Sequence, residues 1–221
     1  MKNKITSTDF KMILIAGSVW GMSEVMMGAW LNGCAFKYTG AIMTGLAFFY
    51  MSFTLTATRK MISLLLLLTI AILFKMFDAV LLSVPVTHGS VMNPSFAFIL
   101  EVLGFCILIA VLGQRFFKNT GARLIAGAGA AIIAVLLFPM AGFFTGSAAC
   151  VVAGTQIPVS IYTSPLAIVL SMVTVSAGFL AATRLKKLQE SGESKTPAIK
   201  MYWPEVVFAV CVAAVAIHGA I

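Results

Sequence analysis

Seven apolar stretches follow one another along the chain, separated by short polar or basic segments. A helix rises about 1.5 Å per residue, so about 20 mainly apolar residues suffice to cross the hydrocarbon core of a bilayer. The pattern predicts an all-α, polytopic transmembrane bundle that forms a single integral membrane domain over residues 1–221. The predicted spans cover residues 11–31, 38–57, 61–83, 94–114, 124–144, 161–183 and 202–218.

Two details refine this pattern. Pro94 marks the start of the fourth predicted span, because proline suits the first turn of a helix. The seventh stretch is short and carries Glu205 near its start, so six spans are an alternative to seven. The hydrophilic residues 184–200 are predicted to be a linker between the last two spans.

Composition excludes a water-soluble domain. The chain has 61% hydrophobic and 10% charged residues, whereas soluble domains have about 45–50% apolar and about 25% charged residues. A core built from 221 residues cannot hide that much apolar surface. The lipid bilayer is therefore the first predicted partner.

The basic residues define an orientation. A net charge of +8 would suggest nucleic acid as the partner of a soluble protein, but here the basic residues lie between spans. Such segments carry the positive-inside bias, which predicts a cytoplasmic N-terminus, a multi-pass protein of the cytoplasmic (inner) membrane and no nucleic-acid partner. Thirteen of the fifteen Lys and Arg fall on the predicted cytoplasmic side: Lys2, Lys4, Lys11, Arg59, Lys60, Arg115, Lys118, Arg123, Arg184, Lys186, Lys187, Lys195 and Lys200.

Four charged residues lie inside the predicted spans, namely Glu24, Lys75, Asp78 and Glu101. Each costs about 2.5–3.5 kcal/mol on membrane-insertion scales, so charged side chains normally face the interior of a bundle. The helical rise places all four about 8–13 Å below the predicted outer ends of their spans. We expect them to converge at one depth in the bundle.

The four charged residues inside the predicted spans indicate a candidate binding site. Trp20 lies one helical turn from Glu24, and His88 and Asn93 lie where the fourth span meets the predicted outer side. Three acids against one lysine leave an excess of negative charge, which favours a cationic or amine-bearing solute or a shuttled proton. The alternative is a buried salt-bridge network that fixes helix register. The predicted substrate-binding residues are Trp20, Glu24, Lys75, Asp78, His88, Asn93 and Glu101.

Other chemistry is not indicated. The sequence has neither metal-ligand spacing nor a nucleophile elbow nor a phosphate-binding loop, so we predict no metal, no cofactor and no catalytic residue. Cys34 and Cys150 fall in predicted outer loops, where oxidising conditions permit a disulfide. The uncharged loop 145–160 is longer than most connections and is predicted to cover the site as a lid, with an ordinary mobile loop as the alternative.

The predicted size, inward N-terminus and outward-facing pocket resemble the substrate-binding subunits of energy-coupling-factor vitamin transporters. Those subunits usually have six spans and a longer loop after the first. The resemblance implies uptake of a small solute with an ATPase energising module as a partner. Three alternatives remain open: a proton-coupled secondary carrier, a membrane-embedded enzyme in which two acids act on a lipid, and a structural or assembly subunit.

The orientation predicts which residues an external reagent can reach. In intact cells, a membrane-impermeant thiol reagent should label His88→Cys and should label Lys118→Cys only after the membrane is opened. Both variants would be made in a background without native cysteines, which serves as the unlabelled control. Equal labelling of both positions from one side would contradict the predicted span between them.

Overall fold

The computed structural model describes the backbone of residues 5–30, 37–81, 83–190 and 197–220. Side chains 28–30, 78, 81, 189–190, 197–203 and 218–220 are outside this description. The structure is 84% helical and has no strand in the part that is described, so the all-α prediction is confirmed.

Seven long helices and several short ones make up the described chain. They are α1 (Ser7–Trp30), α2 (Thr39–Thr58), α3 (Ile62–Leu81), α4 (Gly89–Leu112), α5 (Arg115–Lys118), α6 (Thr120–Leu137), a 3₁₀ turn (Phe138–Met140), α7 (Ala141–Thr145), α8 (Val159–Tyr162), α9 (Ser164–Glu190) and α10 (Pro197–Ala220).

Five helical regions are long and apolar enough to cross a membrane: Ser7–Met27, Thr39–Thr58, Gly89–Leu112, Thr120–Thr145 and Ser164–Leu188. Two more apolar segments, Ile62–Phe77 and Pro204–Ile217, are shorter within the described residues. These helices support a multi-pass membrane protein. The count of seven spans and the cytoplasmic N-terminus stay predictions.

The fourth span begins earlier than Pro94. Helix α4 starts at Gly89, and Pro94 lies inside it. The start is set by His88, whose Nδ1 accepts the backbone N–H of Ser90 at 3.3 Å and so caps the helix. Pro94 lies in the second turn of α4, where its missing N–H removes one intrahelical hydrogen bond.

The segment predicted as a linker is helical at both ends. Helix α9 continues to Glu190, and α10 begins at Pro197. Arg184 and Lys187 therefore lie near the C-terminal end of α9, with Lys187 in its last turn. Cations at a helix C-terminus interact favourably with the helix dipole, which stabilises this end of the helix.

Helix α2 occupies the centre of the bundle. It packs against α1, α3, α4 and α9, while α6 lies between α4 and α9 and α10 covers α1 and α3 from outside. Phe48, Met51 and Leu55 of α2 are fully buried. The Ser52 hydroxyl, also buried, donates to the carbonyl of Val175 on α9 at 2.6 Å. Helix α2 therefore contacts α1, α3 and α4, the helices that carry Glu24, Lys75 and Glu101.

Glycines allow the closest helix approach. A Cβ built at Gly178 of α9 would overlap the carbonyl oxygen of Phe49 on α2. Gly127 of α6 has the same relation to the carbonyl of Ser171 on α9. Membrane helices lack a hydrophobic driving force between them, so small residues at such seams supply close van der Waals packing.

The seam between α2 and α9 should be sensitive to one methyl group. Gly178→Ala forces a side chain into backbone atoms, and overpacking of this kind costs about 1–3 kcal/mol. Thermal unfolding in detergent should occur several degrees lower for this variant than for the unmodified protein. The matched control is Gly40→Ala, because a Cβ at Gly40 meets nothing within 4 Å. Equal melting of both variants would show that α2 and α9 do not pack in this way.

Candidate functional site

Helix α1 supplies a hydrogen-bonded pair. The indole Nε1–H of Trp20 donates to Oε1 of Glu24 at 3.0 Å, one helical turn away. Trp20 is fully buried, and Glu24 is 5% exposed. The indole ring packs on Phe98 of α4, with 5.2 Å between the ring centroids. Trp20 therefore fixes the position of one carboxyl oxygen in the interior.

Helix α4 supplies the second carboxyl group. Glu101 is 4% exposed, and Thr44 of α2 lies within hydrogen-bonding reach of its carboxyl group. The other oxygen, Oε2, is buried and has no hydrogen-bond partner. Glu24 is close enough to interact electrostatically with Glu101. A buried carboxyl oxygen that lacks a donor, in a group that also feels the charge of a second carboxyl group, is unfavourable unless something neutralises it.

Helix α3 supplies the cation. Lys75 is 6% exposed, and its charge attracts the carboxylate of Glu24. Asp78 follows on the same helix, but its side chain lies outside the described residues. Among the described side chains, the acid cluster thus comprises Glu24 and Glu101 with Lys75 beside them. The structure brings these three predicted residues and Trp20 together in the bundle.

Three polar neighbours from α1 and α2 were not predicted. Thr44 lies beside Glu101, while the hydroxyl of Tyr50 hydrogen-bonds Ser23 and lies near Glu24. Hydroxyl residues are frequent in the second span, and the structure buries most of those in its second half. Their frequency was the available signal, because a helix facing lipid has little use for so many hydroxyl groups.

Two predicted residues, His88 and Asn93, have other partners in the structure, and their share in the site stays a prediction. His88 is exposed and caps α4, about 20 Å along the helix from Glu101 by helical rise. Asn93 Oδ1 accepts the hydroxyl of Thr145 at 2.7 Å and so fastens α4 to the end of α7. Both side chains serve helix ends, which explains their polarity without a ligand.

The loop after α7 folds back on itself. Val151 and Pro158 form an antiparallel bridge, and the amide of Val152 donates to the carbonyl of Ile157 at 2.9 Å. A shallow groove of about 340 Å³ lies here, lined by Pro139, Gly142, Phe143, Ala148, Ala149, Val151 and Pro158. None of the described residues of the predicted site lines this groove. A lid over the acid cluster therefore stays a prediction.

The cysteines divide as the sequence suggested. Cys150 is disulfide-bonded, whereas Cys106 and Cys211 are free thiols. Cys34 lies outside the described residues. The state of Cys150 supports a bridge to Cys34, which stays a prediction.

Comparison with known proteins gives no family. No protein-family model matches the chain, and no curated protein or solved structure matches it. Among the side chains that the structure describes, no three His, Cys, Asp or Glu are grouped closely enough to hold a metal ion. The acid cluster is therefore the feature of the chain that points to a function.

The bond between Trp20 and Glu24 can be tested as a pair. Trp20→Phe keeps an aromatic ring against Phe98 but removes the donor to Glu24, and leaving a buried acceptor unpaired costs about 1–3 kcal/mol. The loss caused by Trp20→Phe should be smaller in a Glu24→Leu background, because the acceptor is then already absent. Thermal unfolding of both single variants and the double variant gives the measurement. A loss of the same size in both backgrounds would argue against the pairing.

Proposed function

We propose that this multi-pass membrane protein binds a small cationic or amine-bearing solute between Glu24 and Glu101 and takes part in its transport. The observation that carries the proposal is the buried Oε2 of Glu101, which has no hydrogen-bond partner. An ammonium group has three N–H donors and a positive charge, which is what this oxygen lacks. Charge attraction is strong where water is excluded.

The side chains around the acid cluster support the same class of solute. Trp20 donates its indole N–H to Glu24 and packs on the ring of Phe98, so aromatic side chains line this part of the interior. Aromatic faces attract cations by about 0.5–2 kcal/mol, with the larger values at desolvated sites. Thr44 adds a hydroxyl group that can hydrogen-bond either the solute or Glu101. A neutral solute would gain little from this combination.

Burial of the cluster favours transport over a permanently open receptor pocket. Glu24, Lys75 and Glu101 are only 4–6% exposed, so a solute needs a helix movement to enter or leave. Carriers expose a central site by such movements. A substrate-binding subunit with a separate ATPase module fits the same site and differs in one respect: it would not move solute through liposomes by itself.

Loss of one charge should abolish binding and leave the fold intact. Glu101→Gln keeps the shape of the side chain and removes the charge that attracts a cation. Isothermal titration of purified protein with ethylammonium, benzylammonium and guanidinium should show affinity at least tenfold lower for this variant, with a melting temperature close to that of the unmodified protein. Ethanol and benzyl alcohol serve as uncharged ligands and should not bind.

The matched control is Glu205→Gln, because Glu205 is an exposed acid on α10. It should bind the cations like the unmodified protein. A well-folded Glu101→Gln protein that still binds them normally would defeat the proposal. A variant that unfolds early but retains affinity would identify Glu101 as part of a purely structural network.

A further inference from the structure

The charges that surround Glu101 can be named helix by helix. Glu24 faces it from α1, and α2 brings the hydroxyl groups of Thr44 and Tyr50 to the same cluster. Helix α3 brings Lys75, with Asp78 on the same helix but outside the described side chains. Helix α5 carries Arg115 and Lys118, α6 carries Arg123 at its first turn, and α7 carries no ionisable residue. Helix α10 packs on α1 and carries Glu205 and the thiol of Cys211, which lies near Tyr50.

This inventory leaves an excess of negative charge in the interior. Lys75 attracts Glu24, whereas the groups that interact with Glu101 are the carboxyl group of Glu24 and the hydroxyl of Thr44. Two ionised carboxylates that share one buried place repel each other, and such pairs commonly hold one proton between them. Oε2 of Glu101 has no hydrogen-bond partner. A proton on this oxygen would therefore remove most of the free-energy cost of burying the carboxylate.

We propose that the Glu24–Glu101 pair holds one proton when the site is empty and releases it when an ammonium solute binds. This inference rests on the proposed cation site. The O–H bond of the carboxyl group breaks, the proton passes to water, and N–H···O hydrogen bonds form from the ammonium to the carboxylate. One positive charge enters as one leaves, so the charge of the site stays constant.

Exchange of this kind couples the solute to the proton gradient. Proton and cation compete for the same carboxyl oxygens, so the site is never loaded with both. A carrier built on this site would move one proton against one monovalent cation without net charge transfer. In the pH range where the empty pair is protonated, affinity for the cation should fall about tenfold for each unit by which the pH is lowered.

Proton release can be measured on the whole protein. Purified protein in weakly buffered detergent solution is titrated with ethylammonium while the pH is followed, and the bound fraction is measured in parallel by calorimetry in two buffers that differ in ionisation enthalpy. We expect about one proton released for each ethylammonium bound. The infrared difference spectrum should lose a protonated-carboxyl band on binding.

The exposed His88 is a competing source of protons outside the acid cluster. His88→Asn keeps a residue that can cap α4 and removes that source. Proton release and the infrared change should be the same in this variant. Release that disappears in His88→Asn would overturn the inference.

The remaining outcomes separate the two proposals. Binding of ethylammonium without proton release across the neutral range would overturn proton exchange and leave the cation site standing. A folded protein that binds none of ethylammonium, benzylammonium and guanidinium would overturn the cation site, and the exchange with it.

Discussion

Charged side chains inside membrane-crossing helices have to find partners within the protein, because lipid offers them none. This constraint explains the arrangement of the bundle around its interior. Glu24, Lys75 and Glu101 come from three different helices, yet all three are buried together. The central helix α2 contacts each of those helices and adds hydroxyl groups to the cluster. Close helix packing through glycines joins α9 to this central helix and to α6.

The same constraint makes the cluster informative about function. A network that only fixed helix register would be most stable with its charges balanced and its oxygens satisfied. Here one carboxyl oxygen has no partner and faces a second carboxyl group. Buried polar groups are nearly always hydrogen-bonded, so an exception of this kind points to a role that needs the group unpaired. Binding a cation, and giving up a proton to do so, is such a role.

Sequence reasoning recovered the cluster because depth in a membrane can be counted. Helical rise from the span ends placed Glu24, Lys75 and Glu101 at one level, and the cost of a charge in lipid turned them inward. It did not foresee that His88 caps α4, because a histidine that caps a helix has the same sequence signature as one at the mouth of a pocket. Thr44 and Tyr50 were missed because a single hydroxyl group costs little in a membrane, and only the frequency of such residues in the second span was a signal.

The account is tested most directly by an experimental structure of the protein in lipid nanodiscs, determined with and without ethylammonium. We predict that Glu24 and Glu101 face each other inside the bundle in both states, and that added density appears between their carboxyl groups when ethylammonium is present. Two results would contradict the account. The carboxyl groups could point into the acyl chains, or they could face each other with no added density between them at saturating ethylammonium.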